Sequence, residues 1–75
     1  MKKKPIIVAI SGGFDPIHPG HTRLIHEAKK LGDKLIVILN NDNWLKMKKG
    51  HPFMEQAERK EILEALRDVD KVVLT

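Results

Sequence analysis

The sequence predicts an α/β fold in which three parallel strands alternate with two helices in the order β-α-β-α-β. Short apolar runs rich in β-branched residues occur at 5–10, 34–39 and 70–74. Between them lie two stretches with the period of an amphipathic helix, and the connecting loops carry most of the Gly and Pro residues. Right-handed crossovers would arrange the strands as a half-Rossmann-like sheet in the order 3-2-1.

The first half of the pattern has clear boundaries. The run Pro5–Ile10 is uninterrupted and apolar, which predicts a strand buried on both faces. Ser11–Gly20 is rich in Gly and Pro and is predicted to be a loop. A helix is predicted from His21, with Gly32 at the position of a C-terminal cap. The residues expected to face inward from this helix are Leu24, Ile25, Ala28 and Leu31.

The second half repeats the alternation. The segment 34–39 predicts a second buried strand, and 40–52 is polar and basic, which predicts a loop with one helical turn near Trp44. The segment 55–66 predicts a second amphipathic helix, and 70–74 predicts the third strand. The residues expected to face inward from the second helix are Ala57, Ile62, Ala65 and Leu66.

Length and composition exclude several classes of protein. Seventy-five residues form at most one domain, expected here to be a single unit over 1–75. The absence of cysteine excludes disulfides, and no apolar run approaches the roughly 20 residues that span a bilayer. One Trp, two Phe and no Tyr offer little for stacking on single-stranded nucleic acid. We therefore expect a cytoplasmic protein that binds neither nucleic acid nor membrane.

The loop after the first strand has the features of a phosphate-binding loop. A Gly-Gly pair allows the backbone to approach an anion, and the following helix start favours phosphate. His18 and His21 are three residues apart, so one helical turn would put both imidazoles on the same side, where they could stabilise charge on a phosphoryl group. The loop has neither the Gly-x-Gly-x-x-Gly dinucleotide fingerprint nor a Walker sequence. The plainer alternative is an ordinary turn with two histidines at this spacing by chance.

The segment 12–21, Gly-Gly-Phe-Asp-Pro-Ile-His-Pro-Gly-His, resembles the first signature of the cytidylyltransferase-like nucleotidyltransferases. That superfamily includes glycerol-3-phosphate cytidylyltransferase, heptose-phosphate adenylyltransferase and archaeal FAD synthetase. The similarity continues through 28–33, the Asn-Asp after the second strand, the basic loop, the Glu-x-x-Glu-Arg at 55–59 and the strand at 69–73. The resemblance implies an α/β fold of the class that includes the adenine nucleotide alpha-hydrolase-like proteins.

The resemblance also implies roles for the first loop and the basic loop. The two histidines, His18 and His21, would contact the nucleotide phosphates and stabilise the transition state. A lysine pair would grip the same phosphates, which suggests Lys46 and Lys48, with Lys49 as an alternative. Lysines that are merely solvated are the plainer interpretation. The remaining residues implied along the nucleotide phosphates are Gly12, Gly13, Phe14 and Gly20.

Acceptor-binding residues are implied in the same way, and they are Asp15, Asp42 and Arg59. From periodicity alone Arg59 would be a surface residue, and Asp42 would be a helix cap rather than an acceptor contact. Trp44 is interpreted as a packing anchor for its loop in preference to a stacking platform.

The implied reaction is attack by an acceptor phosphate oxygen on the α-phosphorus of CTP or ATP. It would transfer CMP or AMP to a phosphorylated small molecule and release pyrophosphate. Mg²⁺ would bridge the phosphates, and no carboxylate cage for the metal is visible in the sequence. Positioning and charge neutralisation would supply the catalysis, without a protein nucleophile.

The sequence departs from the family in lacking the C-terminal half of the fold, which carries a second signature. The edge of the first strand would then be open, which predicts a homodimer through that edge. A fragment, a natural minimal protein and an obligate dimer are the competing explanations. Other functions considered are a nucleotide-binding module without turnover and a designed half-Rossmann domain. A class I aminoacyl-tRNA synthetase fragment is disfavoured, because the two segments that resemble its signatures lie too close together in the chain.

Overall fold

The computed structural model describes residues 4–75, apart from the side chain of Lys49. A three-stranded parallel sheet in the order β1-β2-β3 carries three helices in its connections. This confirms the predicted α/β, half-Rossmann-like fold and its strand order. The elements are β1 Ile7–Gly12, α1 Pro19–Lys29, β2 Lys34–Leu39, α2 Asp42–Lys49, α3 Gln56–Ala65 and β3 Lys71–Leu74.

Several boundaries differ from the predicted ones. Strand β2 covers the predicted range, whereas β1 starts and ends two residues later than predicted. Helix α2 runs for eight residues where a single turn was predicted. Its cap is Asn41, whose side-chain oxygen accepts the N–H of Trp44 at 2.8 Å. The prediction that Asp42 caps this helix was therefore wrong by one residue, since Asp42 is the first helical residue.

Only one face of the sheet is covered within residues 4–75. The side chains of Leu35, Val37 and Leu39 are fully buried in a cluster with residues of α1 and α3. Ile7, which points to the other face of β1, is 59% exposed. The prediction that the first strand is buried on both faces was wrong. The two crossovers progress in the same direction along the sheet, so the usual right-handed connection places α1 and α3 on the same face, where residues of both helices share one core cluster.

The buried face of α1 is narrower than its apolar stripe. Ile25 and Ala28 are buried at 1% and 6% exposure. Leu24 and Leu31, which the periodicity also placed inward, are 52% and 72% exposed. Helix α1 packs against β1, the edge strand, and against β2. The apolar side chains at the margins of its stripe therefore have no strand to pack against.

The inward face of α3 was predicted wrongly. Arg59 and Leu63, one turn apart, are both fully buried, while Ile62 is at the margin of exposure at 36%. Ala57 and Ala65 are also exposed, and Leu66 is half-buried. The helix is rotated so that the Arg59 guanidinium reaches the backbone carbonyl groups of Gly13 and Asn40, just beyond the carboxyl ends of β1 and β2. Hydrophobic periodicity cannot predict such an orientation.

The end of α1 is tied to the start of β3 by charged side chains. The carboxylate of Asp70 accepts hydrogen bonds from the Lys29 ammonium and from the backbone N–H of Leu35. The bond from Lys29, followed by the one from Leu35, holds the pKa of Asp70 below its ordinary value. Nearby, Nδ1 of His26 on α1 lies 3.1 Å from Oδ2 of Asp68, which precedes β3. These contacts lie at the amino ends of the strands, away from the cavity described below.

Self-association through β1 remains a prediction. Strand β1 is an edge of the described sheet, and an exposed edge can pair with another chain. Sedimentation velocity of the 75-residue chain should show a species larger than a monomer. Ile7→Lys should weaken that association, because charge on an edge strand opposes pairing. Leu31→Lys is the matched control, since Leu31 is similarly exposed but lies off the sheet. A monomer at all concentrations would contradict the prediction.

Within residues 4–75, none of the helices has the length and apolarity to cross a bilayer.

Candidate active site

Helix α1 begins at Pro19, two residues earlier than predicted, so His18 directly precedes the helix and His21 lies in its first turn. His18 is the N-cap in an extended conformation, and its Nδ1 accepts the backbone N–H of Gly20 at 3.0 Å. In return, Nδ1 of His21 accepts the N–H of His18 at 3.3 Å. The pair is a capping box built from imidazoles, with Pro19 in the first helical turn. Both rings are therefore held at the positive end of the helix dipole.

The capping bonds determine the tautomer of both rings. A ring nitrogen that accepts a hydrogen bond carries no proton, so the proton of each neutral imidazole lies on Nε2. The ring centroids of His18 and His21 are 4.0 Å apart with an interplanar angle of 31°. His18 is exposed and His21 half-buried, so neither ring is sealed in the interior. The arrangement presents two N–H donors side by side without requiring a positive charge.

The surroundings of the His21 ring favour its neutral form. Burial, and then the nearby charge of His18, lower the pKa of His21 below its ordinary value. The ring of Phe14 packs edge-on against it, with the centroids 4.9 Å apart. Phe14 itself is buried and has a φ of 50°, in the left-handed region that bulky residues rarely adopt. The strained backbone conformation at Phe14 thus places its ring where it supports the His21 ring.

A cavity of about 480 Å³ opens beside the two histidines. Its volume falls in the range of small-molecule sites, and it lies where ligands of parallel α/β sheets bind, beyond the carboxyl ends of β1 and β2. It brings together six of the predicted site residues, which come from the first loop with the start of α1 and from α2. The lining residues are Gly13, Phe14, Asp15, Pro16, His18, His21, Trp44, Leu45 and Lys48.

Asp15 ties the first loop to the segment before α3. Its carboxylate oxygens accept the backbone N–H groups of Phe53 and Met54. These long-range bonds hold one wall of the cavity in place. A contact between Asp15 and an acceptor remains a prediction, and Asp15 would make it from this anchored position.

Arg59 lies inside the protein and joins three chain segments. It is fully buried, and its Nη1 donates to the carbonyl oxygens of Gly13 at 2.8 Å and Asn40 at 2.7 Å. Its Nε donates to Met54 O at 2.9 Å, and its Nη2 donates to Asp42 Oδ1 at 2.7 Å. The predicted surface position of Arg59 was wrong. Its contacts in the structure, like those of Asp42, hold the two loops together, and an acceptor contact for either residue stays a prediction.

The two lysines of the basic loop, Lys46 and Lys48, line different cavities. Lys48 lines the cavity with the histidines, and its Nζ lies 5.4 Å from the centroid of the Trp44 ring. Lys46 lines a separate cavity of about 440 Å³ beside Asp42 and Gln56. The structure therefore brings Lys48, but not Lys46, next to the histidines. The side chain of Lys49 lies outside the described residues, and the catalytic role of Lys46 remains a prediction.

The glycines of the first loop allow close contacts within the protein. A Cβ on Gly13 would lie 2.9 Å from Cδ2 of Leu45, so this glycine lets α2 approach the loop. A Cβ on Gly20 would lie 2.7 Å from Cε1 of His18. Gly12 contacts the Phe14 ring in a similar way, with a Cβ distance of 3.1 Å. Gly20 thus makes room for the capping imidazole, in addition to its predicted role beside the nucleotide.

Gly20→Ala is expected to separate stability from ligand binding. The new methyl group should displace the His18 ring, whereas alanine is favoured over glycine within a helix by up to ~1 kcal/mol. The melting temperature should therefore change little while the affinity for a nucleoside triphosphate falls about ten-fold, the loss expected for one charge-assisted hydrogen bond. Calorimetry and thermal denaturation measure the two effects. Pro19→Ala is the matched control, and equal triphosphate affinity in both variants would contradict this role of Gly20.

The parallel sheet, the helices in its connections and the cavity at the strand ends define a Rossmann-like α/β domain. Residues 9–75 match the family model described as cytidylyltransferase-like. The chain therefore belongs to the cytidylyltransferase-like family, as the resemblance of its first loop predicted.

Similar proteins include FAD synthases of archaea. The FAD synthase of Thermococcus sibiricus is 45% identical over 74 residues, which cover 97% of this chain and 50% of that protein. The Pyrococcus horikoshii FAD synthase is 47% identical over 72 residues, covering 95% and 49%. The chain thus spans about half the length of these curated relatives. A crystal structure of a lipopolysaccharide core biosynthesis protein from Thermoplasma volcanium is similar with a TM-score of 0.89 and 32% identity, covering 96% of this chain and 59% of that one.

Proposed function

We propose that the chain is an adenylyltransferase that transfers AMP from ATP to flavin mononucleotide, with its phosphate-binding groups at the start of α1. The observation that carries the proposal is the pair of imidazoles at the start of α1, with ring centroids 4.0 Å apart and both Nδ1 atoms engaged in capping. Two Nε2–H donors at a helix N-terminus suit the phosphates of a nucleotide. The similarity to FAD synthases at 45% and 47% identity supports ATP and a flavin over CTP and other acceptors.

The proposed reaction needs no protein nucleophile. An oxygen of the flavin phosphate attacks the α-phosphorus of ATP, forming the new P–O–P linkage of FAD. The bond from the α-phosphorus to the bridging β-phosphate oxygen breaks, and pyrophosphate leaves with the electron pair. His18 and His21 donate hydrogen bonds to the phosphoryl oxygens as negative charge builds, and Lys48 stands on the same cavity to offset that charge. Lys46 lines the other cavity, so its side chain would have to extend toward the histidines to contact the phosphates.

Mg²⁺ is proposed to enter with the triphosphate. Within residues 4–75 no three His, Cys, Asp or Glu side chains are grouped so as to hold a metal ion. The two carboxylates predicted to bind the acceptor are engaged, Asp15 with two backbone N–H groups and Asp42 with the Arg59 guanidinium. Mg²⁺ binds readily through substrate phosphates and water, so this donor set fits an ion carried by ATP. The ion would neutralise the triphosphate charge.

The test is product formation by the 75-residue chain. With MgATP and flavin mononucleotide, FAD and pyrophosphate should appear in equal amounts, measured by chromatography and a coupled pyrophosphate assay. Substituting CTP for ATP, or glycerol 3-phosphate for the flavin, should give much less pyrophosphate. Failure to form FAD while the chain binds both substrates would contradict the proposal and would favour the alternative of a binding module without turnover.

A second candidate is nucleotidyl transfer to a sugar phosphate. The similarity to the lipopolysaccharide core biosynthesis protein, at 32% identity and over 96% of this chain, supports it. The same assay separates the two candidates. Release of pyrophosphate with a sugar 1-phosphate, and none with the flavin, would favour the sugar acceptor.

A further inference from the structure

Among the described residues, 4–75, Trp44 is the one large aromatic side chain that is both exposed and part of the wall of this cavity. It lies in the first turn of α2, is 42% exposed, and lines the cavity together with His18 and His21. Its backbone N–H donates to the side chain of Asn41, which caps the helix. The indole is therefore mounted on an anchored turn, beside the proposed phosphate-binding groups.

Trp44 is not the residue that packs α2 onto the protein. That contact belongs to its neighbour Leu45, which is 4% exposed and lies so near Gly13 that a Cβ there would be 2.9 Å away. The interpretation of Trp44 as a packing anchor is therefore weakened, because the helix is held by a different side chain. Lys48, one turn further on, lies 5.4 Å from the indole centroid, a contact that is weak at an exposed site and that a ligand ring can displace.

We propose that Trp44 determines acceptor specificity by stacking on the isoalloxazine ring of the flavin while the flavin phosphate reaches the histidines. The inference rests on the proposed function, since it assigns a binding partner to the acceptor of that reaction. Both groups line one continuous cavity, and its remaining wall includes the apolar residues Phe14, Pro16 and Leu45. A polyol or sugar phosphate offers no π face to an indole, whereas a fused aromatic ring does.

The chain provides its own spectroscopic probe, because Trp44 is its only tryptophan. Titration of the wild-type chain with flavin mononucleotide should quench the indole fluorescence and saturate. Titration with ribitol 5-phosphate, which has the same phosphate and polyol but no ring, should leave the fluorescence nearly unchanged. Affinities in the variants are followed by the polarisation of flavin fluorescence, which does not require the tryptophan.

Trp44→Ala should raise the Kd for flavin mononucleotide about ten-fold, the loss typical of one aromatic stacking contact. Trp44→Phe should keep most of the affinity, since it retains an aromatic face. Neither variant should change the Kd for ATP or for ribitol 5-phosphate. Phe53→Ala is the matched control, because Phe53 is 75% exposed but is not part of the cavity wall, and it should bind the flavin as the wild type does.

Three outcomes would overturn the stacking proposal. These are an unchanged flavin Kd in Trp44→Ala, a loss of ATP affinity in place of flavin affinity, which would assign the indole to the adenine, and no flavin binding to the wild type. Formation of FAD by Trp44→Ala with a wild-type KM would refute stacking but leave the proposed function intact. Flavin binding that depends on Trp44, without any FAD formed, would refute the proposed function and leave stacking intact.

Discussion

His21→Asn is expected to lower nucleotidyl transfer by ~10²–10³-fold, the range found when one preorganised transition-state donor is removed. The asparagine side chain can still accept the N–H of His18, because its oxygen can occupy the position of Nδ1. It has no donor at the position of Nε2. Steady-state kinetics with ATP and the acceptor measure the loss, and thermal denaturation should show a melting temperature close to the wild-type value.

The complementary variant is His21→Gln, whose longer amide can place an N–H near the position of Nε2, while glutamine at the third helical position can also accept the N–H of the cap residue. It should therefore keep more activity than His21→Asn at a similar melting temperature. His26→Asn is the matched control, since His26 is on the same helix but pairs with Asp68 away from the cavity. If His21→Asn turned over as fast as His26→Asn, the assignment of His21 to the phosphates would be wrong.

Arg59→Met is expected to destabilise the fold by ~3–5 kcal/mol, the usual loss when one partner of a buried ion pair is removed. Methionine can fill part of the space but offers no donor to Asp42 or to the carbonyl oxygens of Gly13, Asn40 and Met54. Since small domains are stable by only ~5–15 kcal/mol, this loss is a large part of the total stability and should lower the urea midpoint strongly. Urea denaturation followed by circular dichroism measures the difference.

The double variant Arg59→Met, Asp42→Asn tests which partner causes the loss. Neutralising Asp42 removes the charge that Arg59→Met leaves without its ion-pair partner, so the double variant should be less destabilised than the sum of the two single variants. Arg67→Met is the matched control, because Arg67 is exposed at the end of α3. A urea midpoint for Arg59→Met equal to that of Arg67→Met would contradict the structural role of Arg59.

Local signals in the sequence were sufficient to predict the three strands and their order in the sheet. The apolar run of β2 predicted its boundaries, and the alternation of elements with right-handed crossovers predicted the strand order. The same signals misplaced the start of α1. Because His18 is an unusual cap, its role as the N-cap became visible only from its bond to Gly20. Helix starts are usually predicted from Ser, Thr, Asp or Asn, and the residue directly before Pro19 is a histidine.

The sequence by itself determined the order of strands and helices, the loop that carries His18 and His21, and membership of a family with that loop. These features depend on residues close together in the chain, where periodicity, glycine and helix-capping chemistry act directly. The tertiary structure alone decided that Arg59 is buried, that Lys48 rather than Lys46 lies next to the histidines, and that Trp44 lines their cavity. Each of these depends on how α2 and α3 rotate to satisfy polar groups from distant segments, and that rotation is a property of the packed molecule.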